Sequence, residues 1–180
     1  MRVTGGSLKG RRVEVPGGLI RPSMDRVRES VFAVLGDLSG SSFLDLFSGT
    51  GIVALEAASR GAVYVEAVEK DRVKRATLLK NVSMSPVRVN CRFMAAELYV
   101  KRAKRDFDYV FCDPPFPYPY KWDLVRDIAA SPLAKEGSLI LLHRPREDYF
   151  ETGIAFIQKE QAKEYGRSVV EFLRVRKIFV

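Results

Sequence analysis

The chain has 180 residues, enough to bury one full-sized core, and its 47% apolar content with a single Trp is ordinary for a soluble globular domain. No apolar run approaches the roughly 18 residues needed to cross a bilayer, and Met1-Arg2-Val3-Thr4-Gly5-Gly6 lacks the apolar centre of a signal peptide, so a membrane role is excluded and the cytoplasm is the expected location. One His and two Cys, Cys91 and Cys112, both in strand-like runs, argue against a metal centre or a disulfide and for reduced thiols, while the formal net charge of +8 points to a polyanionic partner.

The charge is unevenly placed. Residues 1–30 carry seven basic side chains (Arg2, Lys9, Arg11, Arg12, Arg21, Arg26, Arg28) against three acidic ones, a surplus of +4 and half the total. Such clustering suits contact with phosphates, since each one neutralised releases counterions, although a solvated or internally paired surface would look the same. Met1 to Thr4 and Arg11 to Val15 read as two strands of a hairpin around Gly5-Gly6-Ser7-Leu8-Lys9-Gly10. Pro16-Gly17-Gly18 breaks the chain, and Ser23 is placed to cap a helix running to about Leu35 with Val27, Val31, Phe32, Val34 and Leu35 on its apolar face.

From Ser42 onward strand and helix alternate, the pattern of a mostly parallel sheet covered on both faces. Phe43 to Phe47 is a strand, Ile52 to Arg60 a helix, Val63 to Glu69 a strand, and Asp71 to about Met84 a helix with Val73, Ala76, Leu79 and Val82 inward. Val87 to Phe93, Phe107 to Cys112 and Ser138 to His143 are further strands, with helices at Ala95 to Lys104 and Lys121 to Ala130 between them. Two late strands, Ile154 to Ala162 and Ser168 to Val180, joined by Glu164-Tyr165-Gly166-Arg167, form a hairpin and hence an antiparallel element at one side of the sheet.

Two stretches carry the chemistry. Phe47-Ser48-Gly49-Thr50-Gly51 follows the first strand and opens a helix, the place where an α/β fold offers backbone to a nucleotide-like ligand. Glu69, at the end of the next strand, can accept both hydroxyls of a ribose, which suits NAD and S-adenosylmethionine alike. Asp45 favours the second: a carboxylate beside the turn repels a pyrophosphate but attracts sulfonium and ammonium groups. A carboxylate that caps the turn's own N–H groups is the structural alternative. The second stretch, Asp113-Pro114-Pro115-Phe116, ends the fourth strand. Its prolines stiffen the backbone, so a carboxylate and a carbonyl can accept both hydrogens of an exocyclic base amine and turn the nitrogen lone pair toward a methyl donor, with Phe116 stacked on the base.

These residues, with Arg2-Val3-Thr4-Gly5-Gly6, Lys9-Gly10-Arg11-Arg12, Arg21-Pro22-Ser23-Met24-Asp25-Arg26-Val27-Arg28-Glu29, Glu56-Ala57 and Ser59-Arg60-Gly61-Ala62, resemble the RsmD family of bacterial methyltransferases over nearly the whole chain. The resemblance implies a Rossmann-like class I fold, with a seven-stranded, mostly parallel sheet and an antiparallel C-terminal strand. It also implies transfer of a methyl group from S-adenosylmethionine to guanine N2 of small-subunit ribosomal RNA, in the 30S subunit or an assembly intermediate. The expected cofactor set is Asp45, Phe47, Gly49, Gly51, Glu69 and Asp113; the catalytic set is Asp113, Pro114 and Phe116. The RNA set is Arg2, Lys9, Arg11, Arg12, Arg21, Arg26 and Arg28, with Arg21 to Arg28 over the cleft. Residues 1–38 are then a basic RNA-facing extension and 39–180 the methyltransferase domain of a monomer. Two departures stand out: Met94-Ala95-Ala96 lies where the family commonly meets the adenine amine with a polar or acidic residue, and His143-Arg144 where it tends to an acidic one. His143 reads as a strand-end side chain. DNA, a protein glutamine amide, and a non-catalytic RNA-binding module with the same fold are the alternatives.

Overall fold

Seven strands, β1 (Ser42–Asp45), β2 (Tyr64–Val68), β3 (Val89–Arg92), β4 (Phe107–Cys112), β5 (Ala134–Pro145), β6 (Ile157–Tyr165) and β7 (Ser168–Val175), form one sheet in the order β3-β2-β1-β4-β5-β7-β6. The structure is a computed structural model; it describes residues 1–15 and 22–177, with the side chains of Pro22 and Ser23 outside the description. Expectations at Pro16-Gly17-Gly18 and at Arg21 therefore lie outside the described residues; the first helix already begins at Pro22, so Ser23 sits inside its first turn rather than capping it, and β7 stops at Val175, before Arg176 and Lys177, rather than running on toward Val180. β1 to β5 pair in parallel, and β7 is antiparallel to both β5 and β6, so six strands share one direction and one opposes them.

The central strands are apolar on consecutive residues because both faces are covered. Leu44, Val110, Cys112, Ile140 and Leu142 point to one face, where α4 (Ala96–Arg102) and α5 (Lys121–Ala130) supply Tyr99, Val100, Leu124, Val125 and Ile128. Their neighbours Phe43, Phe111, Leu139 and Leu141 point to the other, against Val27, Val31 and Phe32 of α1 (Pro22–Leu35) and Ala54, Ala57 and Ala58 of α2 (Ile52–Ser59). The small residues of α2 let it lie close on the sheet, so the turn that precedes it is held firmly.

Three local readings are corrected. The segment after β2 opens as a 3-10 turn, Arg72–Lys74, with Asp71 Oδ1 accepting from Val73 N at 3.0 Å; α3 starts only at Arg75 and ends at Val82. Val73 and Leu79 are exposed, and Leu78, Asn81 and Val82 face inward, because this late start rotates the helix away from the phase read from its apolar residues. β5 begins four residues early, at Ala134, since an irregularity opposite Phe107 and Tyr109 carries Gly137 (φ 84°) and lets Ser138 Oγ donate to the Phe107 carbonyl at 2.6 Å. The N-terminal segment turns back on itself but forms only one isolated bridge, Arg2 to Arg12, around a 3-10 turn at Gly6–Leu8.

That segment is tied to α2 rather than to a sheet edge. Val3 and Val13 pack on Ile52 and Leu55. Ser59 Oγ donates to the Gly5 carbonyl at 2.6 Å and accepts from Leu8 N at 2.8 Å. Gly6 has φ 75°, and a Cβ there would stand 1.8 Å from the Ser59 carbonyl oxygen, so only glycine fits the approach. Glu56, fully buried, is the hub: it accepts from Thr4 N at 2.9 Å, Thr4 Oγ1 at 2.6 Å and Arg60 Nε at 3.0 Å, and the Arg28 guanidinium lies 3.4 Å away.

Candidate active site

The strand order reverses between β1 and β4, and ligands of open α/β sheets bind beyond the carboxyl ends of the strands at such a point. A cleft of about 1000 Å³ opens there. It brings together Phe47 and Gly49 after β1, Glu69 after β2, and Asp113, Pro114 and Phe116 after β4. Met24 and Val27 of α1 line it from one side, as expected of a helix over the cleft, and the β6–β7 turn, Tyr165 to Ser168, lines it from another. Tyr165 Oη donates to Ser30 Oγ at 2.7 Å and fastens that turn to α1.

Gly49 has φ 55°, and a Cβ on it would meet nothing within 4 Å, so its backbone faces open cleft. Gly51 differs. It has φ 82°, and a Cβ would stand 2.9 Å from Val82 Cγ1; this glycine serves the packing of α2 on α3 and does not line the cleft. Glu69 is held by two backbone donors, Gly49 N to Oε2 at 2.8 Å and Asp71 N to Oε1 at 2.8 Å. Its carboxylate is thereby fixed at the rim of the cleft, with lone pairs left for further donors.

Asp45 does not reach the cleft surface. It is buried beneath the turn, Oδ2 accepting from Ser48 Oγ at 2.8 Å and Oδ1 without a partner. Burial, and more weakly the nearby charges of Asp113 and Glu69, push its carboxyl up to about 7 against the Ser48 bond, which pulls it down. Its influence on a ligand is therefore through space and through Ser48, and the alternative of a carboxylate bracing the turn is realised by the Ser48 hydroxyl, with the backbone N–H of Ala54 also favouring the charged form.

Asp113 is half-buried and Pro114 buried, while Phe116 is exposed at the mouth. His143, two residues before the end of β5, reaches across to Asp113, with Nδ1 2.8 Å from Oδ1, and its ring meets that of Phe116 edge-on at 5.4 Å between centroids. The contact was not legible in the sequence, which separates the two by 30 residues; the only available signal was that both close adjacent parallel strands. Glu97, in the first turn of α4, also lines the cleft and accepts a hydrogen bond from Tyr118 Oη, whose ring packs edge-on against Phe47 at 5.7 Å. A carboxylate is thus present at the residue that directly follows Met94-Ala95-Ala96. Burial, with Glu97 beside it, raises the Tyr118 phenol and keeps it a donor.

Of the basic set, Arg2, Lys9, Arg11, Arg12 and Arg26 are exposed and Arg21 lies outside the described residues. Arg28 is a correction. It is buried, donating to Asp25 Oδ1 at 3.0 Å and to the Arg2 carbonyl at 2.7 Å beside Glu56, so its charge is spent inside the protein. Both cysteines are free; burial raises the Cys91 thiol to about 11 and the Cys112 thiol further. Among the described residues no group of three or more His, Cys, Asp or Glu could hold a metal ion, and no helix is long and apolar enough to cross a membrane.

The model of the family described as "Conserved hypothetical protein 95" matches residues 1–174. "Putative rRNA methyltransferase YlbH" of Bacillus subtilis is 30% identical over 98% of this chain and 100% of its own length. "Ribosomal RNA small subunit methyltransferase D" of Escherichia coli is 34% identical over 64% of this chain and 60% of its own length. Among solved structures, "Putative methyltransferase yhhF" from Escherichia coli superposes with a TM-score of 0.87 at 27% identity, covering 98% of both chains.

Proposed function

The chain belongs to the family whose model spans residues 1–174, the RsmD family, and from that premise we propose that it transfers a methyl group from S-adenosylmethionine to the N2 amine of a guanine in small-subunit ribosomal RNA. The observation that carries the reading is the meeting, in one cleft, of the Gly49 cradle and Glu69 with Asp113-Pro114-Pro115-Phe116. The residues fit the donor: Gly49 leaves open space where a side chain would stand, Glu69 offers a fixed carboxylate for ribose hydroxyls, and Asp45 leaves an unpartnered carboxylate oxygen beneath the turn. Glu97 is the group on hand for the adenine amine.

When bound, S-adenosylmethionine supplies an electrophilic methyl group. Asp113 and the Pro114 carbonyl would accept the two amine hydrogens, and Phe116 would stack on the flipped base. Holding the amine this way would free the nitrogen lone pair for in-line attack on the methyl carbon, with the carbon–sulfur bond breaking to leave a neutral thioether; the nitrogen would become acidic as it gains carbon, and Asp113 would take the proton released. Positioning and local charge would supply most of the rate. Arg2, Lys9, Arg11, Arg12 and Arg26 would neutralise phosphates around the cleft, in a cytoplasmic monomer acting on the 30S subunit or an assembly intermediate. The test is transfer of labelled methyl to 30S particles lacking the modification, with mass spectrometry to locate it; incorporation no greater than with Asp113→Ala would sink the proposal.

Asp45 adds a pH dependence with a defined sign. A carboxyl raised by folding contributes stability that is complete below its unfolded value of 3.8 and gone once the pH passes about 7. A cationic donor prefers the ionised form, so donor binding should tighten as pH rises toward about 7, by up to ~10-fold per unit, with proton release, and level off above that. Calorimetry of Asp45→Asn should show weaker binding without that slope; an unchanged slope would remove Asp45 from the donor site.

A further inference from the structure

His143 is the single histidine of the chain. It is 3% exposed, its Nδ1 lies 2.8 Å from Asp113 Oδ1, and its Nε2 is buried without a partner. We infer that His143 is a positioning residue for the amine acceptor: its Nδ1–H donates to Asp113 Oδ1 and so leaves Oδ2 as the oxygen that meets the substrate amine. The inference rests on the methyltransferase reading of the cleft.

The proton assignment follows from the contacts. A bare Nδ1 would set a ring lone pair against a carboxylate oxygen at hydrogen-bond distance, and a proton on Nε2 would bury an N–H with nothing to accept it. Placing the proton on Nδ1 satisfies the close contact and leaves only an acceptor unpaired. The ring cannot easily swing away. Phe116 packs against its edge, and the strand that carries it is paired on both sides, to β4 through Leu142–Cys112 and to β7 through His143–Val170. Asp113 follows Cys112 directly, so two adjacent parallel strands set the spacing between the imidazole and the carboxylate.

A carboxylate free to rotate about its terminal bond would offer the amine either oxygen in many orientations. One oxygen held by a ring locked between strands offers a single orientation, and such pre-set geometry matters most where the protein supplies position rather than a strong base. His143 thus acts on the rate through Asp113.

Two measurements test this on the whole chain. Because there is one histidine, selective 15N-imidazole labelling gives one pair of ring signals. Near about pH 8 the expected spectrum shows Nδ1 protonated and Nε2 bare, and Asp113→Ala shifts it toward the Nε2–H form; a protonated Nε2 in the unmodified chain would overturn the inference. In methyl-transfer assays, His143→Phe keeps a ring against Phe116 but removes the donor, and kcat should fall about 10- to 100-fold with calorimetric affinity for S-adenosylmethionine unchanged. His143→Asn returns an N–H near the Nδ1 position and should recover most of the rate. An unaltered kcat in His143→Phe, or no recovery in a folded, donor-binding His143→Asn, would refute the positioning role. Absence of transfer by the unmodified chain would count against the methyltransferase reading alone, and the imidazole spectrum would still decide the pairing.

Discussion

Asp113→Ala should lower kcat for methyl transfer by about 10²- to 10³-fold, the usual loss when one pre-set electrostatic partner of a reacting group is removed. The carboxylate is at the carboxyl end of β4, fixed behind by Pro114 and beside by His143. Without it a base proposed to stack on Phe116 would still do so, but its amine would keep the planar, ring-delocalised geometry that makes it a poor nucleophile. Binding of RNA should persist, because the exposed basic residues that would meet phosphates lie elsewhere in the chain. Single-turnover transfer at saturating donor separates these effects. A loss seen only in KM would assign Asp113 to substrate binding, and no loss at all would move the chemistry out of this cleft. Asp113→Asn, which keeps one acceptor oxygen, should fall between the two.

Glu56→Ala should destabilise the fold by about 3–5 kcal/mol, the range for removing one partner from a buried ion pair. Glu56 is fully buried and Arg28 nearly so; the carboxylate accepts from Thr4 and Arg60 and sits 3.4 Å from the Arg28 guanidinium. Its removal leaves two guanidinium groups facing each other with little water to screen them, and releases the N-terminal segment from α2. Thermal denaturation followed by circular dichroism reads the effect; at roughly 2–4 °C per kcal/mol for a domain of this size, the midpoint should drop by about 10 °C. Adding Arg28→Met to Glu56→Ala should return part of the loss, since an apolar side chain of similar length removes one stranded charge. A change below about 1 kcal/mol in the single variant would mean that water reaches this cluster in solution.

Phosphate contact by the N-terminal basic set remains a matter of surface charge, and Arg28 shows why charge counts mislead. In the sequence it is one more Arg in Arg26-Val27-Arg28, yet a helical turn places Arg26 outward and Arg28 inward on Glu56. Salt dependence of RNA binding should therefore respond to Arg26→Ala and not to loss of the Arg28 charge as such.

The sequence by itself determined the alternation of strands and helices, the glycine turn after β1, and the carboxyl-edge placement of Glu69 and Asp113. Those are local properties: runs of apolar residues, glycines at positive φ, and prolines that end a strand. It also carried the family's stretches, Asp45 to Gly51 and Asp113 to Phe116, in the right order. Tertiary structure alone decided which groups meet. That Asp45 is buried under Ser48 and raised toward neutrality, that Gly51 packs closely on Val82, and that Arg28 is an internal counter-ion all depend on packing between distant segments. His143 is the sharpest case. Its partner is 30 residues away, and only the parallel pairing of β4 with β5 brings the ring to Asp113, because register between non-adjacent segments is set by the sheet as a whole and not by either strand.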